Sequence, residues 1–407
     1  MSTTYDCDLA IVGGGAVGLA TAYHAGRRGH RTVLLDRRQF LHDDTASAGT
    51  SRQFRIQYND PAISRLVLDS IPLWDQLSQD SGEQLATRAG CLWFGDSRAP
   101  GAEGQIEAVL RVMDQLDVPF EGLTAQQVTE RFGFRGIPPW WSGFFQPDGA
   151  ATDVKATLRA LLRGARAAPH VTLLPGRRVI DIDVSGAGIS LSTECGNTVH
   201  AAKLVVAAGP ESNDVLRLLG FELRTVVWEM ISAYFRAAPA AAELPTWINF
   251  QATSEDDPGL YYGFPALAWD KPGYARVGAN YPSRVLRTPA QRSAEPEPAV
   301  VARIGAWVAE HMPVLDPVPV GASTCTSALF TAPDRPGELV REMLVDFAPD
   351  VLAHHRDIVV CATGWVFKIV PLLGAVCADL ALDGRTAFDM SSAALRPELW
   401  HPTVRQN

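Results

Sequence analysis

Residues 8–36 read DLAIVGGGAVGLATAYHAGRRGHRTVLLD, and this stretch predicts a complete dinucleotide-binding βαβ unit. Leu9–Val12 is a short apolar strand, and Gly13-Gly14-Gly15-Ala16-Val17-Gly18 is a G-x-G-x-x-G loop. From Ala16 to about Arg28 the residues Val17, Leu19, Ala20 and Tyr23 keep helical spacing, and Gly29 stops the helix. Thr32–Leu35 is the second strand and ends in Asp36. Gly13 permits the tight turn, Gly15 lets the backbone approach a pyrophosphate, and Gly18 lets the helix pack closely on the strands. The helix N-terminus, from Ala16 and Val17, offers free N–H groups and the positive end of its dipole to the anion. Asp36 stands about 20 residues beyond the loop, where an acid accepts hydrogen bonds from a ribose diol. Arg37 beside it is placed with the cofactor site.

The rest of the composition narrows the class. The chain has 407 residues, enough for two domains. Its net charge of -9, with no long basic run, excludes nucleic acid as the expected partner. Cys7, Cys91, Cys195, Cys325, Cys361 and Cys377 have no C-x-x-C spacing, so neither a zinc site nor a disulfide framework is expected. The nine histidines form no metal pattern either. No apolar run reaches the roughly 18–20 residues of a membrane span. The first strand begins by Asp8, which leaves no room for a signal peptide. A cytoplasmic protein, monomer or homodimer, is the expectation.

Two later segments return to a parallel sheet: Ala202–Gly209 (AKLVVAAG) and Asp357–Gly364 (DIVVCATG), the second followed by helical spacing over Val376–Leu382. Strands buried on both faces read as such apolar runs. Between them lie aromatic, strand-rich stretches: Gly90–Phe94, Trp228–Arg236, Trp247–Phe250 and Leu260–Phe264. They predict a second sheet, closing over the cofactor's reactive end to form the substrate site.

The loop alone does not separate FAD from a nicotinamide cofactor, but the glycine-ended strands far downstream favour FAD. At this point the chain resembles the D-amino-acid-oxidase-type superfamily of FAD proteins. Within it, the chain is most similar to monomeric sarcosine oxidase and N-methyltryptophan oxidase. The resemblance rests on an ordered series of short motifs. After the βαβ unit come Gly49-Thr50-Ser51-Arg52-Gln53-Phe54-Arg55 and the middle Ala207-Ala208-Gly209 strand end. Tyr262-Gly263-Phe264-Pro265, Thr331-Ala332-Pro333-Asp334 and Gly364-Trp365-Val366-Phe367-Lys368 follow. It implies an α/β plus α+β fold. A discontinuous Rossmann-like FAD-binding domain (1–88, 150–220, 323–390) carries a mixed or antiparallel-sheet substrate domain (89–149, 221–322), and 391–407 form a tail. Ser51, Arg52, Val179, Ala208, Gly209, Gly364, Val366, Phe367 and Lys368 join the loop as cofactor-binding residues.

The resemblance also implies the chemistry. A residue matching Arg55 and one matching Lys368 bind the substrate carboxylate in the relatives. The physics agrees, since a guanidinium fork bonds a carboxylate in a bidentate way and an ammonium adds a second charge. Arg52 and Arg55 lie three residues apart, and in a helix they would share one face. Arg52 matches a position near the flavin ring, and Tyr262 an active-site tyrosine. Trp365 and Val366 replace a His and a Gly of the relatives, which reshapes the pocket. Arg276 stands where the relatives carry an O₂-activating lysine, and Asn280 where they carry a histidine. Non-covalent FAD is expected, because the relatives' linking cysteine would fall at Ser327 or Ala328. A link through Cys325 is the alternative.

The expected function is oxidation of the C–N bond of a carboxylate-bearing primary or secondary amine, aromatic or cyclic substrates included. The product is an imine, formed by hydride transfer to flavin N5, with O₂ as acceptor giving hydrogen peroxide. The alternatives are a flavin dehydrogenase or desaturase of a biosynthetic pathway, with another acceptor or a carrier-bound substrate, and a non-catalytic flavin-binding redox sensor. An NAD-binding dehydrogenase ranks behind them.

Overall fold

The computed structural model describes residues 3–97, 99, 106–251, 258–332, 335–341 and 343–403. Pro333 and Asp334 of the Thr-Ala-Pro-Asp motif, and the last residues of the tail, lie outside the described residues. The N-terminal unit comprises strand β1 (Thr4–Val12), helix α1 (Ala16–Arg27) and strand β2 (Thr32–Leu35). β1 starts earlier than its apolar run because Thr4–Cys7 keep pairing with Thr198–Ala201. β1 lies parallel between β2 and strand Thr198–Val206. Strand Val171–Leu174 extends this parallel set beside β2, and Ile358–Thr363 extends it beside Thr198–Val206. Antiparallel strands complete a sheet of eight among the described residues.

The apolar runs follow from burial on both faces. Leu9, Ile11, Leu34, Val205 and Val359 join one core cluster, and Ala10, Val12, Val33, Leu204, Val206 and Val360 join the other. Alternate side chains of each strand therefore enter opposite layers.

Ser51–Phe54 is a strand, β3, not part of a helix. It pairs antiparallel with Ala150–Asp153, which also pairs with Ala86–Arg88. Its backbone groups are committed to a ladder, so Arg52 and Arg55 do not share a helix face. The helix begins only at Pro61: α2 (Pro61–Ser81) has Asp60 as its cap, whose carboxylate accepts from the Ala62 amide at 2.8 Å.

A second sheet has ten strands among the described residues. The four aromatic stretches form its strands Cys91–Gly95, Thr225–Ala237, Thr246–Phe250 and Leu260–Gly263. Most neighbours are antiparallel, with Thr246–Phe250 parallel to Cys91–Gly95. Strand Leu315–Ala332 pairs along Thr225–Ala237, so the chain passes position 322/323 inside one strand of this sheet. No helix among the described residues is long and apolar enough to cross a membrane.

The helical layer contains a buried titratable group. Burial pushes the His24 ring on α1 down to about 4, with the Pro371 backbone opposing and Arg27 and Arg28 adding smaller effects. The unfolded chain takes up this proton near 6.5 while the folded chain resists it until about 4. Because only the unfolded chain gains this proton between these values, stability present above pH 6.5 is lost as pH falls toward 4, on the order of 3 kcal/mol. Thermal melts from pH 7 to 4.5 should show a smaller acid loss for His24→Gln than for the native chain. Parallel curves would contradict this account.

Candidate active site

The glycine loop and the second sheet face one cavity of about 970 Å³. At the loop, Gly13 has φ 110°, and a Cβ there would stand 2.5 Å from the Ala207 carbonyl oxygen. Gly15 caps α1 without a side-chain hydrogen bond, and no acid occupies the first turn. The positive helix end thus carries no acid in its own first turn, although the Ala16 amide is not free as the sequence suggested. The Gly14 amide donates to Asp36 Oδ2 at 2.6 Å, and the Ala16 amide donates to Ser47 Oγ at 3.0 Å. Asp36 Oδ1 accepts from the Arg38 amide at 2.7 Å. The ribose-binding carboxylate expected from the sequence therefore lines the cavity while also bracing the loop. Arg37 pairs with Glu211 at 2.7 Å on the same rim.

Gly13, Gly15, Ala16, Val17, Asp36, Arg37, Arg52, Val179, Ala208, Gly209, Gly364, Val366, Phe367 and Lys368 all line this cavity. Two predicted residues do not. Gly18 lies behind the loop, where a Cβ would stand 1.8 Å from the Gly13 carbonyl oxygen. Ser51 is fully buried: its hydroxyl donates to Asp270 at 3.1 Å, and its carbonyl accepts from Arg276 Nη2.

The predicted catalytic residues Arg55, Lys368, Tyr262, Arg276, Asn280 and Trp365 line the same cavity. Arg55 and Lys368 are 4% and 6% exposed, so both cations are withdrawn from solvent. Arg55 Nη1 donates to the Gln57 carbonyl at 3.1 Å. Lys368 Nζ donates to the carbonyl of Trp365, a residue held at φ 54° and packed edge-on to Trp228. Arg52 donates to the carbonyls of Ala48 (2.7 Å) and Ser51 (3.0 Å). Burial disfavours its charge, Cys325 offsets this, and Arg276 adds to it. Burial pushes the Tyr262 hydroxyl up, with Arg276 opposing, so the phenol stays protonated and can donate. Arg276 lies 4.4 Å over the Phe264 ring, and its Nε is buried without a partner.

Cys325 is a half-buried free thiol on the cavity wall, in strand Leu315–Ala332 opposite Met230. Ser327, two residues along, shares that wall. The loop residues His42–Ala48, with Arg177 and Arg178, also line the cavity and were not singled out from the sequence, and Ile248 lines it from the predicted strand Trp247–Phe250. The small, polar run after Asp36 was the signal available for the loop.

The surroundings fit a dinucleotide that also carries a reactive ring. The N-terminus of α1, Asp36 and a cation-rich inner wall share one cavity. A family model described as "FAD dependent oxidoreductase" (DAO) matches residues 8–380. A putative bifunctional amine oxidase of Dictyostelium discoideum is 30% identical over 410 residues, 96% of this chain; the chain spans only 37% of that relative's length. N-methyl-L-tryptophan oxidase of Salmonella typhimurium is 28% identical, over 94% of this chain and 97% of its own. Among solved structures, the open form of NikD, titled an unusual amino acid oxidase essential for nikkomycin biosynthesis, is similar with a TM-score of 0.87. It is 36% identical, covering 99% of this chain and 100% of that one. Glycine oxidase from Geobacillus kaustophilus, with a TM-score of 0.73 and 20% identity, covers 97% of this chain and 100% of its own, a likeness of fold alone.

Proposed function

This chain belongs to the family of FAD-dependent oxidoreductases, and on that premise we propose that it oxidises the C–N bond of a carboxylate-bearing primary or secondary amine to an imine. The observation that carries the reading is the meeting of Arg55 and Lys368, remote in sequence, around one buried ring, Tyr58. When bound, FAD supplies the two-electron oxidation. The chain supplies positioning and electrostatics. Arg55 forks onto the substrate carboxylate and Lys368 adds a point charge. Tyr262 donates from its protonated phenol. Trp365, Phe264 and Ile248 exclude water and favour a planar or cyclic substrate.

O₂ is the proposed acceptor, with Arg276 placing a fixed positive charge on the wall. A dehydrogenase or desaturase using another acceptor is the second reading. It is motivated by Arg276 being bound to the Ser51 carbonyl and stacked on Phe264, a more restrained group than a lysine.

The test is anaerobic. The holoenzyme is mixed with amino acids, N-methyl amino acids and the matching amines lacking a carboxylate, and flavin absorbance is followed. Bleaching by carboxylated amines alone is expected. Bleaching by none would leave a non-catalytic flavoprotein. Stopped-flow mixing of the reduced enzyme with O₂ then separates oxidase from dehydrogenase. Because Cys325 lines the cavity, acid precipitation is run on the native and Cys325→Ala proteins. Colour pelleting only with the native chain would assign a covalent link to this thiol, and colour left in solution keeps FAD non-covalent.

A further inference from the structure

We infer that Tyr58 is a positioning residue: its ring holds Arg55 and Lys368 together as a two-cation receptor, with Trp93 backing Arg55. The inference rests on the proposed carboxylate clamp and adds what sets its geometry. The Arg55 guanidinium carbon lies 4.3 Å from the Tyr58 ring centroid and 5.4 Å from that of Trp93. Lys368 Nζ lies 5.1 Å from the same Tyr58 centroid. Tyr58 is 1% exposed and Trp93 0%, so these contacts are shielded from water.

The two cations reach the ring from separate anchors. Arg55 follows β3, and its Nη1 is tied to Gln57 of its own segment. Lys368 belongs to the turn before helix Val370–Asp383. Its main-chain carbonyl accepts from Trp74 Nε1 at 2.6 Å and from Ser70 Oγ at 3.4 Å, both on α2. Like charges brought together from independent elements repel one another. An aromatic face carries negative potential, attracts both cations and orders their long side chains before substrate arrives. A preorganised pair costs less entropy on binding a carboxylate. A shielded cation–π contact of this kind is worth roughly tenfold in an equilibrium.

The test uses the FAD-loaded enzyme and benzoate, a carboxylate without an amine, titrated by its perturbation of the flavin spectrum. Tyr58→Leu should weaken benzoate roughly tenfold and raise KM for the best amine found by a similar factor, with kcat changed much less. Tyr58→Phe keeps the ring and should restore most of the binding. If Tyr58→Leu does not fold, a trifluorinated phenylalanine at position 58 keeps the shape while removing the negative ring face, and should weaken benzoate likewise. Benzoate binding as tight in Tyr58→Leu as in the native enzyme overturns the inference. So does a Tyr58→Phe enzyme as weak as Tyr58→Leu, which would assign the effect to the hydroxyl. Arg55→Met is measured in parallel. If Arg55→Met binds benzoate normally, the clamp itself fails. If Arg55→Met weakens binding and Tyr58→Leu does not, only the role of Tyr58 fails.

Discussion

An Arg55→Met enzyme is expected to lose about two to three orders of magnitude in kcat/KM toward carboxylate-bearing amines. Most of that loss should appear as a raised KM. The carboxylate is present in ground and transition states alike, so the group that binds it contributes uniform binding. The size follows from burial. A guanidinium 4% exposed meets a carboxylate with little water to compete, and removing it leaves the anion facing Lys368 alone. Lys368→Met should move in the same direction by less, because an ammonium gives one point charge where Arg55 gives a planar fork. The two losses should not add, since in the proposed clamp both groups serve one carboxylate. FAD content and melting temperature serve as controls on the fold. An unchanged KM in both variants, with the best substrate from the anaerobic panel, would remove the carboxylate from the proposed function.

The parts of this site legible in the sequence are those whose signal is local. The loop, its helix and β2 lie within one continuous segment, and Gly18 answers a constraint from Gly13, five residues away. The return strands were legible because burial on both faces leaves an unbroken apolar run. The three-residue spacing of Arg52 and Arg55 is compatible with either helix or strand, so it does not decide the state of Ser51–Phe54. What makes it a strand is its partner Ala150–Asp153, remote in sequence. Cys325 illustrates a different obstacle. Placing the relatives' linking cysteine at Ser327 or Ala328 compares positions along a line, whereas Cys325 and Ser327 both line the cavity from one strand. Tyr58 carried no local signal, since its neighbours Trp93 and Lys368 are assembled only by the fold.

Gly18→Ala is expected to yield a protein with little or no bound FAD, even though residue 18 does not line the cavity. A methyl group there would stand 1.8 Å from the Gly13 carbonyl oxygen and 3.0 Å from its carbon. The obstacle is backbone, so no flexible side chain can swing away. Gly13 has little freedom to yield, because its amide donates to the Leu35 carbonyl at 2.9 Å and its own Cβ position is filled by Ala207 and Ala208. Either α1 withdraws from the strands or the loop lifts from the helix end. Both separate the N–H groups from the pyrophosphate position, and overpacking of this kind costs about 1–3 kcal/mol or more. Since the loop's alignment with the helix dipole is what binds the anion, FAD affinity should fall by at least one to two orders of magnitude. Gly122→Ala is the matched control. Beyond its chain neighbours no atom lies within 4 Å of the added methyl there, and it should purify yellow. FAD titration of the stripped proteins by flavin fluorescence measures the difference. Native affinity in Gly18→Ala would mean that the close packing of α1 against this loop does not position the cofactor.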